Sequence, residues 1–473
     1  MSFQSVASEN RPELMLPYFD IVELHTPLAR WRGTMKVWGA GSMGLHGIYE
    51  GSFAGWCDAV PGCAANFSGW EWPSHVSRFA GLYHGTDSGL KSIGAFLVSN
   101  FITFVDYTAD WQFMEARAYP LLLHVADFYE SYATWDATRN QFNILRSCAQ
   151  EVCSAQGGSQ PWPGTAGNAS ASSNPPYDIA LAKRVLRRLL AWSMRLDRDA
   201  DRRQSWQFML DHLAPWELTL DDQNRTVFAQ ASLAGHPSGG FPRRTGPHPG
   251  VFNSRYPIVY LAAIYPGEEV GPDSDAETLA IARRTVEVVN SFNDWSPTNG
   301  MCMAWPPATR VLQNASFLLN RFEYAVNLTV KPNFFPDINN HPSAGSGCPF
   351  ENAGSLLAIN ELMLMSSNFT LRFFPAGWPA GQRAVFCNLR AKGAFLASGT
   401  AVGGKFVGAG VRIKSEAGTQ CTFVPPQFSA GSGVQVIEES TGTRVPLRAL
   451  PNTGGKMVFA TEAGATYLVS HLV

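Results

Sequence analysis

Apolar residues recur with a helical period from about residue 11 to about residue 366, and this pattern limits the fold more than any other feature of the sequence. Helices are predicted near residues 13–30, 92–106, 118–131, 178–196, 204–213, 276–290, 311–327 and 353–366. Polar loops rich in Gly, Pro and Ser separate them. Many helices of this length, joined by long loops, favour a mainly α architecture.

The segment from Asp178 to Leu196 carries the helical pattern most clearly. Its apolar stripe consists of Ile179, Leu181, Ala182, Val185, Leu186, Leu189, Leu190 and Met194, and the opposite face of Lys183, Arg184, Arg187 and Arg188. Pro175 and Pro176 prevent this helix from extending backwards, and Asp178 can cap it.

After Ser367 the pattern changes to short apolar strands separated by Gly, Pro and Ser. The strands are predicted at residues 369–375, 383–387, 394–398, 405–413 and 465–470. We expect a small antiparallel β-sandwich packed on the helices. The predicted domains are therefore 1–368 and 369–473.

The composition excludes several classes of function. Of 473 residues, 45% are hydrophobic, but only 16% are charged and the formal net charge is -2. A nucleic-acid partner requires a strongly basic face, so none is predicted. The stretch from Ser92 to Val105 lacks charge but is shorter than the roughly 20 apolar residues that cross a bilayer. No membrane span is predicted.

Two features predict a secreted glycoprotein with disulfides. Close Cys pairs, Cys57/Cys63 and Cys148/Cys153, can staple loops. Sequons for N-glycosylation, for which chance composition is the alternative explanation, occur at Asn66, Asn168, Asn224, Asn314, Asn327 and Asn368. The N-terminus has neither the basic start nor the apolar run of a signal peptide, so we expect that the chain lacks its true beginning.

Long aromatic loops are the first candidates for substrate contact, since loops of this length in a compact fold are usually functional or disordered. They span residues 51–83, 156–176 and 218–256. In the first loop, Glu71 lies between Trp70 and Trp72, an acid between two faces that can stack on sugars. The alternative is that these tryptophans are hydrophobic plugs.

The most specific passage is Gly345 to Met365, where a loop of small residues delivers Glu351 and Asn352 to the start of an apolar helix. The free N–H groups and the positive end of the helix keep Glu351 ionised, which suits a base or an acceptor for sugar hydroxyls. The alternative is that Asn352 caps the helix and Glu351 is only a favourable first-turn charge.

Other loop residues complete the predicted site. Asp87 and Glu151 are candidate general acids, although Asp87 can instead cap the helix from Ser88. Asn253 and Arg255 can bind sugar hydroxyls or simply anchor their loop. The further residues assigned to substrate binding are His84, Asp178 and Trp305. Nucleotide-binding and Ser-nucleophile motifs are absent and the histidines are scattered, so neither a cofactor nor a metal is predicted.

Several ordered segments resemble glycoside hydrolase family 95. The resemblance is carried by Glu351-Asn-Ala-Gly, Glu361, Leu371 to Pro379 and Leu389 to Ser398, and more weakly by Arg11 to Asp20, Thr108 to Asp110, Ala118 to Tyr129, Ser147 to Glu151 and Tyr256 to Glu268. The family contains inverting α-L-fucosidases and related L-galactosidases. The resemblance implies an (α/α)6 toroid followed by a C-terminal β-domain, without the family's N-terminal β-domain and first toroid helix.

The resemblance also locates departures from the family. Phe350 stands where the fucosidases place an Asp, with Glu351 one residue along, and Gln230 stands near the position of the family's acid. The partner Asn of the family falls in the part that this chain lacks.

The sequence therefore predicts a glycoside hydrolase acting on terminal sugars with inversion. Glu351 would polarise water, and Glu151 or Asp87 would act as the acid. The alternatives are a catalytically silent carbohydrate-binding protein on the same scaffold, which Phe350 and Gln230 favour, and a polysaccharide lyase.

Overall fold

The structure is a computed structural model. It describes residues 3, 5–26, 91–145, 172–221, 223–229, 232–233, 261–293, 301–329, 356–429 and 433–472. The chain divides into two compact units. Unit 1 contains Met1–Leu16, Ile102–Trp111 and Val270–Val473, and unit 2 contains Pro17–Phe101 and Gln112–Glu269.

Helices form at every position predicted from the periodicity. In chain order they are α1 (Leu16–Leu24), α2 (Ile93–Thr108), α3 (Tyr119–Tyr132), α4 (Pro176–Leu196), α5 (Arg203–His212), α6 (Ala276–Asn293), α7 (Met301–Leu312), α8 (Ala315–Thr329) and α9 (Leu356–Met363). Shorter helical turns occupy Pro12–Met15, Trp111–Phe113, Met114–Ala118, Ala200–Arg202 and Ser367–Phe369. The predicted combination of a helical part and a sheet part is confirmed.

The helix predicted near residues 311–327 is observed as α8, which starts at Ala315 because α7 ends at Leu312 and Asn314 caps α8. Asn314 Oδ1 accepts from the Phe317 N–H at 3.0 Å. Pro306 and Pro307 lie inside α7. Prolines usually break a helix, so no helix is predicted over these residues from the sequence.

Helix α4 confirms most of the predicted apolar stripe and shows two errors. Met194 is 62% exposed at the last turn, whereas Arg184 is only 6% exposed. Arg184 is buried because its guanidinium donates to the carbonyl oxygens of Pro266 and, at 3.5 Å, of Ser99. These bonds satisfy a charge that the sequence pattern had assigned to the solvent-facing side.

In unit 2, three phenylalanines bring the first helices together. The Phe19 ring lies 4.4 Å from the Phe101 ring and 4.8 Å from the Phe113 ring, measured between centroids. Arg117 lies over the Phe113 ring at 5.3 Å and forms a two-point ion pair with Glu23, at 2.6 and 2.9 Å. The arginine therefore covers the aromatic group while its charge is neutralised.

The strands are, in chain order, β1 (Thr134–Asp136), β2 (Gln141–Asn143), β3 (Ser172–Ser173), β4 (Leu218–Leu220), β5 (Thr226–Phe228), β6 (Ser232–Leu233), β7 (Leu364–Met365), β8 (Thr370–Phe373), β9 (Arg383–Ala391), β10 (Phe395–Val402), β11 (Lys405–Ser415), β12 (Cys421–Phe423), β13 (Gln435–Glu438), β14 (Arg444–Val445), β15 (Arg448–Ala449), β16 (Met457–Phe459) and β17 (Thr466–Ser470). All the strands predicted after Ser367 are present. Within the predicted loop 218–256, strands β4 and β5 instead form a hairpin, whose turn is held by Asp221 accepting from the N–H groups of Gln223 and Arg225.

Two sheets in unit 1 enclose one apolar core. The first has the strand order β14-β13-β17-β11-β10-β9, and the second the order β15-β16-β12-β8-β7. The core joins Phe386, Phe406 and Val469 of the first sheet to Leu371 and Phe423 of the second. Pairing is antiparallel, as predicted, except that β8 and β12 are parallel. The predicted domain boundary between 368 and 369 stays a prediction.

Unit 1 also buries a complete ion pair. Arg310 of α7 donates two hydrogen bonds to Glu361 of α9, at 2.6 and 2.9 Å, and both side chains are only 2% exposed. The bidentate geometry compensates for the loss of water around both charges. The pair therefore fixes α9 against α7.

We expect Glu361→Ala to destabilise unit 1 by about 3–5 kcal/mol, because it leaves the Arg310 charge buried without its carboxylate. Urea unfolding measures the change. Glu439→Ala is the matched control, because Glu439 pairs with the exposed Arg412 and its loss should leave the midpoint unchanged. Equal shifts in the two variants would contradict the importance of the buried pair.

Candidate functional site

Most of the residues predicted from the sequence for the site lie outside the described residues, and their roles stay predictions. They are Glu351, Glu151, Asp87, Asn352, Trp70, Glu71, Trp72, His84, Asn253 and Arg255. The predicted cysteine pairs also lie outside them, whereas the described Cys387 and Cys421 are free thiols. The structure does describe residues that flank the segments with Asp87, Glu151, Asn253 and Arg255.

The two ends of the segment that contains Glu151 are joined by hydrogen bonds. The Asn174 N–H donates to the Ile144 carbonyl at 2.8 Å, and the Ile144 N–H donates back to Asn174 Oδ1 at 2.8 Å. Asn174 Nδ2 also donates to Asn143 Oδ1 at 2.9 Å. Both asparagines are buried, so these bonds are protected from water. Residues on either side of the segment with Glu151 are thus held together by this buried pair.

A short strand pair brings a further segment to this place. Strand β3 pairs antiparallel with β6, with Ser172 opposite Leu233. The segment that carries Asn253 and Arg255 follows β6 in the sequence. Leu145, which bridges to Ser173, and strands β3 and β6 are therefore held together in unit 2.

A buried polar cluster joins the residue before α2, the last turn of α3 and the first turn of α4. We call Ser92, Tyr129, Tyr177 and Asp178 the tyrosine cluster. The Tyr129 hydroxyl donates to Ser92 Oγ at 2.7 Å, and the Asp178 carboxylate interacts electrostatically with both tyrosines. Ser92 and Asp178 are fully buried, Tyr129 is 1% exposed and Tyr177 is 5% exposed. Ser92 follows Asp87 in the chain, and Tyr177 and Asp178 follow Asn174.

The two tyrosines are neutral hydroxyl groups in the folded protein. Burial raises the pKa of Tyr129 well above its ordinary value, and the nearby Asp178 carboxylate raises it further, although the bond to Ser92 lowers it. Burial and then Asp178 likewise raise the pKa of Tyr177. A neutral phenol can donate a hydrogen bond, whereas a phenolate cannot.

The structure corrects the predicted capping role of Asp178. Helix α4 starts at Pro176 with Pro175 as its N-cap, and no side chain makes a capping hydrogen bond. Proline is suited to the first helical position because its missing N–H has no helical partner there. Asp178 is a first-turn acid within the tyrosine cluster, and its proposed contact with substrate stays a prediction.

Trp305, also predicted to bind substrate, packs inside unit 1. It lies on α7, is 1% exposed, and meets the Phe322 ring at 5.5 Å and 81°. This edge-to-face arrangement is typical of core aromatic pairs. The binding role of Trp305 stays a prediction.

Four buried residues that were not predicted from the sequence hold the chain beside the predicted site segments. They are Ser92, Tyr129, Tyr177 and Asn174. Tyr129 ends the segment Ala118 to Tyr129, which carries part of the family resemblance. A tyrosine on the buried face of an apolar helix needs a partner for its hydroxyl, and this was the available signal. Nothing in the sequence identified that partner as Ser92.

In the part of the chain that the structure describes, no group of three or more His, Cys, Asp or Glu side chains is arranged to hold a metal ion. None of the helices among those residues is both long enough and apolar enough to span a bilayer.

Alkaline titration tests the buried state of the tyrosines. Because their pKa values in the folded state exceed the ordinary value of about 10, the folded protein keeps protons that the unfolded chain loses. Their contribution is fully present below pH 10, and stability falls as pH rises above it. We expect Tyr129→Phe to reduce the slope of unfolding free energy against pH by about 1.4 kcal/mol per pH unit. Urea unfolding at several alkaline pH values measures the slope.

The control for this titration is Tyr324→Phe, because Tyr324 is 46% exposed. The control should keep the slope of the unsubstituted protein. If Tyr129→Phe keeps the same slope as well, Tyr129 is not held protonated by the fold.

Comparison with protein families gives one match. Residues 19–225 match the model of the glycosyl hydrolase family 95 catalytic domain. The matched segment contains the whole tyrosine cluster together with Asp87 and Glu151, whereas Glu351 lies beyond it. No curated protein matches the chain.

Solved structures similar to this chain include three sugar-active proteins. A putative kojibiose phosphorylase from the human microbiome is 12% identical, with a TM-score of 0.46, and the alignment covers 84% of this chain and 54% of that chain. An α-L-rhamnosidase from Streptomyces avermitilis is 12% identical, with a TM-score of 0.36 and coverages of 81% and 33%. A family 127 β-L-arabinofuranosidase from Geobacillus stearothermophilus T6 is 10% identical, with a TM-score of 0.23 and coverages of 79% and 53%.

The chain thus spans 54% of the length of the phosphorylase. The similarity to family 95 rests instead on the match over residues 19–225. The resemblance predicted from the sequence is confirmed: residues 19–225 are similar to the glycosyl hydrolase family 95 catalytic domain.

Proposed function

We propose that this chain is a glycoside hydrolase that releases terminal sugars from oligosaccharides, polysaccharides or glycoproteins. The observation that carries the proposal is the match of residues 19–225 to the family 95 catalytic domain. In this proposal the helices close into an (α/α)6 toroid, and the C-terminal strands form the accompanying β-domain. The substrate is a carbohydrate, and no cofactor takes part.

The proposed reaction inverts the configuration at the sugar carbon. Glu351 polarises the attacking water, and Asp87 or Glu151 protonates the leaving oxygen. This division of roles needs two carboxyl groups about 6.5–9.5 Å apart, so that a water fits between the base and the sugar. Asp87 and Glu151 lie in the family-matched segment, which supports their selection as acids.

In this mechanism we assign the tyrosine cluster a role in positioning the segments that carry the proposed acids. Ser92 precedes α2 directly and follows Asp87 in the chain, and its hydroxyl is held by Tyr129 at 2.7 Å. Asp178 belongs to the same cluster and follows Asn174, which is bonded to Ile144 across the segment with Glu151. We assign the cluster to positioning because it holds described residues that follow Asp87 and Glu151 in the chain.

The proposed substrate has a terminal sugar similar to L-fucose or L-galactose. This part of the proposal comes from the family resemblance. Trp70 and Trp72 would stack on the sugar, while Glu71 would accept hydrogen bonds from its hydroxyls. The further proposed sugar-binding residues are His84, Asp178, Asn253, Arg255, Trp305 and Asn352.

A second candidate function is carbohydrate binding without turnover. It is favoured by Phe350 and Gln230, which occupy positions where the resemblance implies acids. A protein of this kind would be stabilised by its sugar in a thermal unfolding experiment but would release no product.

Hydrolysis of aryl α-L-fucosides and aryl α-L-galactosides by the purified chain tests the enzyme. We expect Glu351→Gln to lower kcat by about 100-fold or more, because the amide is a poor base. Asp87→Asn and Glu151→Gln identify the acid, since only the true acid should give a comparable loss with a poor leaving group. NMR observation of the first anomer released tests inversion.

Glu277→Gln is the control for these carboxylate substitutions, because Glu277 is exposed on α6. It should keep full activity. Full activity in Glu351→Gln would exclude the proposed base. Sugar-dependent stabilisation without release of any aryl group would favour the binding protein.

We also propose that the protein is secreted and glycosylated. The asparagines of the described sequons are all exposed, as an acceptor must be, and they are Asn224, Asn314, Asn327 and Asn368. Mass spectrometry of the native protein before and after removal of N-linked glycans measures occupancy. We expect a mass decrease and conversion of at least one of these asparagines to Asp. An unchanged mass would contradict the proposal.

A further inference from the structure

Unit 1 contains a cleft of about 600 Å³ that the proposed hydrolysis does not use. Its walls come from residues 272–273, Gln313 before α8, residues 372–375 of β8 and its end, residues 424–425, and the loop 452–456. The volume lies within the range of about 300–1,000 Å³ typical of small-molecule sites. All of these segments belong to unit 1.

Three charged side chains meet at this cleft. Arg372 Nη2 lies 2.5 Å from Asp273 Oδ1, and Lys456 Nζ lies 2.8 Å from the same oxygen. The Arg372 side chain is only 8% exposed and that of Lys456 14%. Two cations facing one carboxylate leave an excess of one positive charge that is largely withdrawn from water. Such a charge favours an anionic ligand group.

The pKa of Asp273 agrees with this arrangement. Partial burial acts to raise the pKa of its carboxyl, but the hydrogen bonds and charges of Lys456 and Arg372 outweigh burial and hold it below the ordinary value. Asp273 is therefore ionised at neutral pH. Arg372, Lys456 and Asp273 together therefore carry one net positive charge.

The cleft also offers hydrogen-bonding groups suited to sugar hydroxyls. Both cations contact Oδ1 of Asp273, and the second carboxylate oxygen, Oδ2, is a further acceptor. Arg283 donates to Gln313 Oε1 at 2.8 Å, and this bond orients the Gln313 amide nitrogen as a donor. Asn452 is exposed at the rim. Planar amide and carboxylate groups of this kind can bond neighbouring hydroxyls.

One wall of the cleft is apolar. Phe373, Pro375 and Pro425 line it. Ring surfaces of this kind pack against the C–H face of a sugar, whereas a simple inorganic anion would gain nothing from them. A ligand that matches the cleft therefore carries one negative charge, several hydroxyls and a flat apolar face.

We propose that this cleft is an accessory binding site for an acidic sugar residue, with the sugar carboxylate bound by Arg372 and Lys456. Asp273 and Gln313 bind its hydroxyls. The site does not depend on hydrolysis, so it stands or falls separately from the proposed function. It would hold an acidic saccharide on the protein without turnover at the cleft.

Isothermal titration of the whole chain with D-glucuronate, D-glucose and acetate tests the proposal. D-glucuronate carries both features, whereas D-glucose has only the hydroxyls and acetate only the carboxylate. We expect D-glucuronate to bind at least about tenfold more tightly than either of the others. Equal binding of acetate would mean a simple anion site, and equal binding of D-glucose a neutral-sugar site. Either result, or no binding of D-glucuronate, overturns the proposal.

Substitutions locate the binding. Lys456→Met should weaken D-glucuronate binding about tenfold or more, whereas Lys405→Met, which changes an exposed lysine on β11, should not. Thr453→Trp, designed to fill the cleft, should abolish binding, while Thr441→Trp in the β13–β14 turn should not. Thermal unfolding confirms that each variant is folded. Unchanged binding in the folded Lys456→Met and Thr453→Trp variants would place the sugar elsewhere and overturn the proposal.

Aryl glycoside hydrolysis in the same variants separates the two proposals. Thr453→Trp should keep the activity of the unsubstituted chain, because Thr453 has no part in the proposed catalytic machinery. Loss of D-glucuronate binding with retained hydrolysis is the expected combination. Retained D-glucuronate binding in a chain that hydrolyses no aryl glycoside would leave the cleft proposal intact and contradict only the enzyme.

Discussion

A charge removed from water needs an opposite charge or several hydrogen bonds, and this requirement determines which helices and turns pack together in unit 1. Lys392, in the turn between β9 and β10, pairs with Asp106 of α2 at 3.5 Å, with both side chains 2% exposed. The Gly393 N–H donates to the Asp106 carbonyl at 2.7 Å beside this pair. Because water cannot replace a buried partner, the C-terminal part of α2 and the β9–β10 turn are held in one arrangement. The Arg310–Glu361 pair imposes the same requirement on α7 and α9.

The same constraint explains how unit 2 uses its few buried polar groups. Arg184 extends from a buried position on α4 to the carbonyl oxygens of Pro266 and Ser99, so a single side chain connects three parts of the unit. Asp178, on the same helix, lies among tyrosines that burial keeps neutral. A chain with only 16% charged residues places some of them inside, where each fixes a specific neighbour.

The sequence predicted the elements better than their partners. Apolar periodicity located the helices because burial of one face is a local property of the pattern. It failed at Arg184, whose burial depends on carbonyl oxygens far away in the chain, and at α7, where tertiary packing around Ala304 and Ala308 overrides the low helix propensity of Pro306 and Pro307. The parallel pairing of β8 with β12 was also invisible, since each strand has the same local pattern in either direction.

The candidate site divides in the same way between local and distant information. Its chemistry was predicted from loops, because paired acids and tryptophans are recognisable by type and spacing. The residues that flank these loops are held instead by hydrogen bonds of Tyr129 with Ser92 and of Asn174 with Ile144. These bonds join residues about 30 or more positions apart in the chain. The Tyr129 hydroxyl holds Ser92, which follows Asp87 in the chain, whereas the Asn174 bonds join residues on either side of the segment with Glu151. Each contact needs two residues that only the folded chain brings together, so neither could be predicted from a local pattern.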